Sequence, residues 1–279
     1  MAKIGINDFI DTLLLGGDMF RTLKGVEPLF DPYGRPRFVA GRQGPIFRVR
    51  IGNEHFALKC YSHSAHSLLP LHNLLAELNS PLIVVPSLLI QELWVGHSYA
   101  DVALYPWVEG QTLDWELRHW LRSGQTDRLA HLAEGFTRLA SEILAGSWRH
   151  GDLKPENIIV EPSGRMRLID CDGLYHPSLS WQGQAGTPPY VHPERRDAYD
   201  EHIDDYSIAL IATSLYALSI QPSLFREELM VALPTLGTTA HIATLFKHNS
   251  HLVGLLSALN SNEYKITDLN HTLQCILHK

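Results

Sequence analysis

Between Ile46 and Ile51 apolar and polar residues alternate, which predicts a strand with Phe47, Val49 and Ile51 on one face. Gly52-Asn53 supplies turn chemistry, and residues 55–61 return as a second strand. The pair predicts a hairpin, and the two-residue period puts Ala57 and Lys59 on a common face. The sheet is expected to begin near Arg37. Upstream, residues 1–35 read as a short amphipathic helix and then a loop rich in Pro and Gly, expected to pack on the same lobe. Residues 67–78 read as a short helix that stops before Ser80-Pro81. Residues 82–90, with Pro86 inside, predict one strand or a strand broken at the proline, and 102–105 predict another.

From Thr126 on the period changes. Leu129, Leu132, Ala133, Phe136, Leu139, Ala140, Ile143 and Leu144 recur at spacings of three and four, which predicts a helix capped by Thr126 with Asp127 in its first turn. Residues 158–160 and 166–169 read as two strands, the second delivering Asp170. Asp204-Asp205-Tyr206-Ser207 opens a helix that is apolar nearly all round, hence buried. Residues 222–279 give about three short helices and no chemistry.

A chain of 279 residues with 45% apolar and 19% charged residues is long enough for one large domain or two small lobes. Its net charge of −7 argues against a nucleic-acid-binding surface. Three cysteines without a C-x-x-C pair predict free thiols and a reducing, cytoplasmic setting. The start reads as a helix interrupted by Asp8 and Asp11, not as a secretory signal, and no apolar run is long enough to span a membrane. His63, His66 and His72 lack the cysteine or carboxylate that would complete a zinc site, and read as a polar loop leading into a helix.

The candidate chemistry is concentrated at 150–157, His-Gly-Asp-Leu-Lys-Pro-Glu-Asn. Asp152, Lys154 and Asn157 stand at fixed offsets, and Asp170 follows 18 residues after Asp152. Phosphoryl transfer from a nucleotide needs this set: a carboxylate to take the hydroxyl proton, a cation near the moving group, and an amide plus a carboxylate for magnesium. H-x-D-x-K-x-x-N also matches the catalytic-loop pattern of protein kinases.

Other stretches extend the likeness. Phe56-Ala57-Leu58-Lys59 resembles the V-A-I-K strand, whose lysine pairs with the α- and β-phosphates. Gly41 and Gly44 match the second and third glycines of the G-x-G-x-x-G-x-V loop, Ile46 matches its valine, and Val39 stands at the first glycine. Residues 106–113 resemble the hinge stretch, and 186–194 resemble G-T-P-x-Y-x-A-P-E with His192 for the alanine. The chain thus resembles the eukaryotic-like Ser/Thr protein kinases in a compact, divergent form such as bacteria carry, over roughly residues 37–220.

That resemblance implies an α+β, two-lobed fold: a small antiparallel sheet lobe over 1–107 and a larger helical lobe over 108–279. ATP would sit between them with one or two Mg²⁺ (or Mn²⁺), and the substrate would be a protein. Asp152 would accept the proton of a Ser or Thr hydroxyl, and Lys154 would offset phosphoryl charge. Asn157 and Asp170 would hold metal, with Asp172 the alternative to Asp170. Lys59 would hold phosphates; Ile46, Ala57 and Ile159 would sandwich the base. The Pro106 carbonyl and the Val108 N–H would bond the adenine edge beside the gatekeeper Tyr105. Thr187 would touch Asp152 and Lys154, Asp204 would bond the catalytic-loop backbone, and Glu194 would pair with a late arginine, for which Arg226 alone is available.

The departures matter as much. The family's helix glutamate would fall near Leu71, yet the helix has only Glu77, so either Glu77 is recruited or the ion pair is missing. Gly151 replaces the arginine that grips a phosphorylated activation loop, so phosphorylation of Ser178, Ser180 or Thr187 is not expected to be an on-switch. Two rival readings remain: a nucleotide-binding pseudokinase scaffold, favoured by Val39, Cys171 and the missing glutamate, and a small-molecule kinase of aminoglycoside-phosphotransferase type, favoured by Gly151 and opposed by 186–194.

Overall fold

The structure is a computed structural model that describes residues 4–41, 43–180, 186–195, 198–225, 236–261 and 263–278. Arg42 and Arg226 therefore lie outside the described residues. The chain divides into two compact units, Met1–Val108 and Glu109–Lys279.

The first unit is an antiparallel sheet with two helices. Helix α1 (Ile6–Leu15) is followed by β1 (Val26–Pro28), β2 (Phe38–Ala40), β3 (Pro45–Ile51), β4 (Glu54–Cys60), helix α2 (Leu69–Leu78), β5 (Ser87–Val95) and β6 (Ser98–Pro106). The order is β1-β3-β4-β6-β5, with β2 also pairing β3. The sheet starts earlier than Arg37: β1 covers the Val49–Ile51 end of β3, and β2 covers its Pro45–Phe47 end. The short β1 escapes a periodicity reading because it is three residues long and ends on Pro28, which an edge strand tolerates.

Alternation along β3 does the work expected of it. Phe47 and Val49 are fully buried against Phe9 and Leu13 of α1, together with Leu58, Leu93 and Val102. Each such side chain contributes roughly 1.5–3 kcal/mol on burial. The strand after Pro86 begins at Ser87, leaving the proline outside, and runs to Val95. It bulges near Gln91, which has φ of 53°; the Gln91 N–H is taken by the buried Asp101 carboxylate at 2.7 Å. Its neighbour Glu92 accepts the N–H groups of Thr22 and Leu23, each at 2.7 Å.

The second unit contains a three-stranded sheet and most of the helices: β7 (Gln111–Thr112), α3 (Leu113–Ser123), α4 (Thr126–Ala145), β8 (Ile158–Val160), β9 (Met166–Leu168), α5 (Asp205–Ile220), α6 (Leu236–Phe246), α7 (Ser250–Leu259) and α8 (Leu269–Leu277). Thr112 caps α3 by accepting the Trp115 N–H. Thr126 does not cap α4; Gln125 takes that position, and Thr126 is already inside the helix. The apolar stripe of α4 is buried as its spacing requires, with Leu129, Ala133, Phe136, Ala140 and Ile143 all fully enclosed. The far end of α4 is closed by Arg149, whose Nη1 donates to the carbonyls of Ile143, Gly146 and Trp148. A buried guanidinium here satisfies carbonyls that the helix leaves open. Among the described residues, no helix is long and apolar enough to cross a membrane.

Candidate active site

In the first unit the strand register places the candidate nucleotide-binding residues. Ile46 is opposite Lys59, and Lys59 is opposite Ala103; Arg48 is opposite Ala57, and Ala57 is opposite Tyr105. Directly paired residues share a face. Ile46, Ala57, Lys59, Ala103 and Tyr105 therefore emerge on the side away from the Phe47–Val49 core. Lys59 is 4% exposed, with its ammonium 5.4 Å from the centre of the Tyr61 ring. Pro106 ends β6 opposite Phe56, and Val108 closes the unit.

The glycine stretch is a tight turn, with Gly41 N–H donating to Gly44 O at 3.0 Å. Gly44 has φ of +153°, and a Cβ there would lie 1.9 Å from the Cys60 carbonyl oxygen. Close strand packing thus demands this glycine. On α2, Leu71 and His72 are buried, whereas Glu77 is exposed and forms no ion pair among the described residues. A helix face filled by Leu71, His72 and Leu75 turns Glu77 outward.

In the second unit the residues of the 150–157 loop are drawn together. Lys154 Nζ donates to Asp152 Oδ2 and to Thr187 Oγ1, each at 2.9 Å. Asn157 Nδ2 donates to the Asp152 carbonyl at 2.9 Å, and the Asn157 carbonyl accepts the Ile169 N–H at 3.0 Å. That bond sets Asn157 beside the segment carrying Asp170. Burial pushes the Asp152 carboxyl up, but hydrogen bonds from Lys154 and Thr187 and the Lys154 charge outweigh it and hold the group below the ordinary aspartate range. Its Oδ2 is occupied; its Oδ1 is buried and has no hydrogen-bond partner among the described residues.

The loop backbone is fixed from behind. Asp204, 1% exposed, accepts the N–H of His150 on one oxygen and of Gly151 at 2.9 Å on the other. Asp204 stands at the start of α5 yet makes no cap bond there, because its carboxylate is spent on the loop. His150 Nδ1 accepts the Asp152 N–H, so Nε2 carries the proton given to the Ile169 carbonyl at 3.0 Å. Gly151 has φ of +81°, and a Cβ there would lie 1.8 Å from Gly173 O. The 150–157 loop and the Asp170–Gly173 turn are packed too closely for any side chain at 151.

The two acids of that turn differ. Asp170 is half-exposed and left-handed (φ 59°, ψ 52°), a conformation costing a non-glycine residue about 1–2 kcal/mol. Asp172 is 5% exposed. Ile159 is half-buried on β8. Glu194 is exposed, whereas its neighbour Arg195 is 5% exposed. Sequence reading missed Arg195 and Arg149; each is an unremarked arginine in the chain, and only its burial singles it out.

An α+β chain with a curled antiparallel sheet, a helical unit and this loop is protein-kinase-like. Known proteins agree. The chain is 31% identical over 94 residues to the dual specificity mitogen-activated protein kinase kinase jkk-1 of Caenorhabditis elegans, a match covering 30% of this chain and 22% of that protein. It is 32% identical over 94 residues to the serine/threonine-protein kinase chk1 of Schizosaccharomyces pombe, covering 31% and 18%. It is 34% identical over 87 residues to the MAP kinase kinase mkk-4 of Caenorhabditis elegans, covering 28% and 24%. The chain thus spans about a quarter or less of the length of these curated relatives. No family model matches it.

Proposed function

We propose that the chain transfers the γ-phosphoryl group of ATP to Ser or Thr hydroxyls of a protein, assisted by Mg²⁺ or Mn²⁺. The carrying observation is the asymmetry of Asp152: one oxygen is held by Lys154, and the other is buried without a partner among the described residues. A carboxylate kept ionised with one open acceptor is suited to orient an incoming hydroxyl and take its proton. Lys154, held between Asp152 and Thr187, offsets charge on the transferred group.

Asn157 and Asp170 fit the hard oxygen donors that magnesium takes, which bind it sparsely and leave its shell to phosphates and water. The Asn157 amide nitrogen is tied to the Asp152 carbonyl, leaving its oxygen as the donor end. The strained backbone favours Asp170 over the buried Asp172 for this role. A bound metal would neutralise phosphate charge. Lys59, Ile46, Ala57, Gly41, Gly44, Pro106, Val108 and Ile159 are the residues proposed for the nucleotide, and Thr187 and Glu194 for the substrate segment. Cys60, Cys171 and Cys275 form no disulfide among the described residues, which suits a reducing, cytoplasmic setting.

The exposed Glu77 favours a second reading, a nucleotide-binding scaffold without catalysis. Purified protein with labelled ATP and Mg²⁺ or Mn²⁺, compared with Asp152→Asn, separates them. Transfer to itself or to generic protein substrates that vanishes in the variant supports the kinase. Thermal stabilisation by ATP without transfer supports the scaffold, and transfer only to a soluble metabolite supports a small-molecule kinase.

A further inference from the structure

Arg149 stands immediately before the 150–157 loop and is 8% exposed. Every nitrogen of its guanidinium is engaged. Nε donates to the Glu201 carbonyl at 2.7 Å. Nη1 donates to the carbonyls of Ile143, Gly146 and Trp148 at 3.0, 2.9 and 2.7 Å, and Nη2 reaches the Leu144 carbonyl at 3.4 Å. A cation suits the negative end of a helix dipole. Closing α4 alone would need only a glycine turn or water. A guanidinium that also takes Glu201 joins the helix end to the stretch leading into α5. All these acceptors are main-chain oxygens, present whatever the state of any side chain.

The backbone of the same residue holds a further stretch. Its N–H donates to the Tyr175 carbonyl at 3.0 Å, and its carbonyl accepts the Tyr175 N–H at 2.9 Å. Next to it, the Leu174 carbonyl accepts the Tyr199 hydroxyl at 2.6 Å, and the rings of Tyr175 and Tyr199 meet edge to face with centroids 5.0 Å apart. These bonds gather the end of α4, the 171–175 stretch and the 199–204 stretch around Arg149. The 199–204 stretch ends on Asp204, which accepts the His150 and Gly151 N–H groups. The Asp152 N–H follows, on His150 Nδ1 at 3.3 Å. Each N–H from Arg149 to Asp152 is therefore fixed.

We propose that Arg149 is a positioning residue: its guanidinium locks the end of α4 to the 199–204 stretch, so that the backbone enters the 150–157 loop at one place and Asp152 is aimed without any modification of the chain. The role rests on the phosphoryl-transfer reading above.

The test is kcat, KM and melting temperature for wild type, Arg149→Met, Arg149→Lys and Leu129→Ala. Leu129 is fully buried on the same helix, about 20 Å along its axis from Ile143, and its truncation removes core packing only. In Arg149→Met, kcat per folded molecule falls about 100-fold, as a displacement of Asp152 by about 1 Å requires. KM for ATP changes by less than about threefold, since orientation is lost and binding is kept. Arg149→Lys keeps the cation but has no fork to span Glu201 and Ile143, so its kcat falls at least about tenfold with less change in melting temperature. Leu129→Ala melts lower yet keeps kcat per folded molecule within about twofold. If both Arg149 variants behave like Leu129→Ala, melting lower with wild-type kcat per folded molecule, the proposal is overturned. If Arg149→Met does not fold, Arg149→Lys decides by the same criterion. If neither folds, the proposal is overturned as well, because the residue then serves the fold itself. If wild type transfers no phosphate, the functional reading fails by itself. Arg149 is then judged by hydrogen exchange at the His150, Gly151 and Tyr175 amides, which Arg149→Met must accelerate about tenfold more than Leu129→Ala does; equal exchange overturns the proposal.

Discussion

Replacing Gly151 by alanine tests how the 150–157 loop is held. The added Cβ would stand 1.8 Å from Gly173 O, 2.6 Å from Gly173 C and 3.3 Å from Ile203 Cδ1. An ordinary carbon–oxygen contact is about 3.3 Å, so loop and turn must separate by about 1.5 Å. Both sides are backbone, and neither can rotate away. A positive φ adds about 1–2 kcal/mol of strain for alanine. Together these predict a loss of about 2–4 kcal/mol of stability. Displacement of Asp152 by about 1 Å predicts a fall in kcat of about 100-fold. Gly164→Ala is the control: its φ is +83°, yet nothing lies within 4 Å of the new Cβ. That variant bears the backbone strain alone and keeps kcat. Thermal unfolding and steady-state transfer, measured on both variants, separate the two effects. Gly151→Ala with wild-type kcat and a melting temperature equal to that of Gly164→Ala would refute the packing argument.

Three further outcomes are expected. Lys154→Met removes the bonds that hold Asp152 low, so kcat falls about 100- to 1000-fold and its acid limb moves up in pH; an unmoved limb in a residually active variant contradicts this. The double change Ser178→Ala with Ser180→Ala leaves activity within a few fold, since Tyr175 is already bridged to Arg149 by paired backbone bonds of 2.9 and 3.0 Å; complete loss would show that loop phosphorylation is needed. Burial pushes Asp205 up to about 6 against the Ile266 N–H and His202. The folded state then holds the extra proton between the ordinary aspartate range and about 6, so this group makes stability fall as pH rises through that window. Denaturant unfolding of Asp205→Asn should give a flatter pH profile there, and an unchanged slope counts against the assignment.

The hairpin of β3 and β4, the buried α4 stripe and the all-apolar α5 were legible because period and burial coincide in them. Asp152, Lys154, Asn157 and Thr187 were singled out by the spacing of two short motifs, and the hydrogen bonds that join them are what the structure adds. Other features are set by contacts distant in sequence. β1 is too short to have a period, and its partner β3 lies some 20 residues on. The Thr126 cap lost to Gln125 by one residue, within the ordinary uncertainty of a helix start. Gly44 looked like phosphate-loop chemistry, yet the Cys60 carbonyl alone already requires it. Arg195 and Arg149 declare themselves only through burial, which no local pattern encodes.

The antiparallel pairing of β3 and β4 has a further consequence. Facing residues alternate between the core and the opposite side, so a slip of one residue would drive the Lys59 ammonium in among Phe47 and Val49 and bring Leu58 out in its place. Lys59 is enclosed already, beside Tyr61 on its own face, and moving its charge from there into a wholly apolar layer would cost far more than strand pairing returns. The greasy side of the sheet thus proofreads where its lysine comes out. A mutation that softens Phe47 or Val49 would be felt first as an error in the address of a charge.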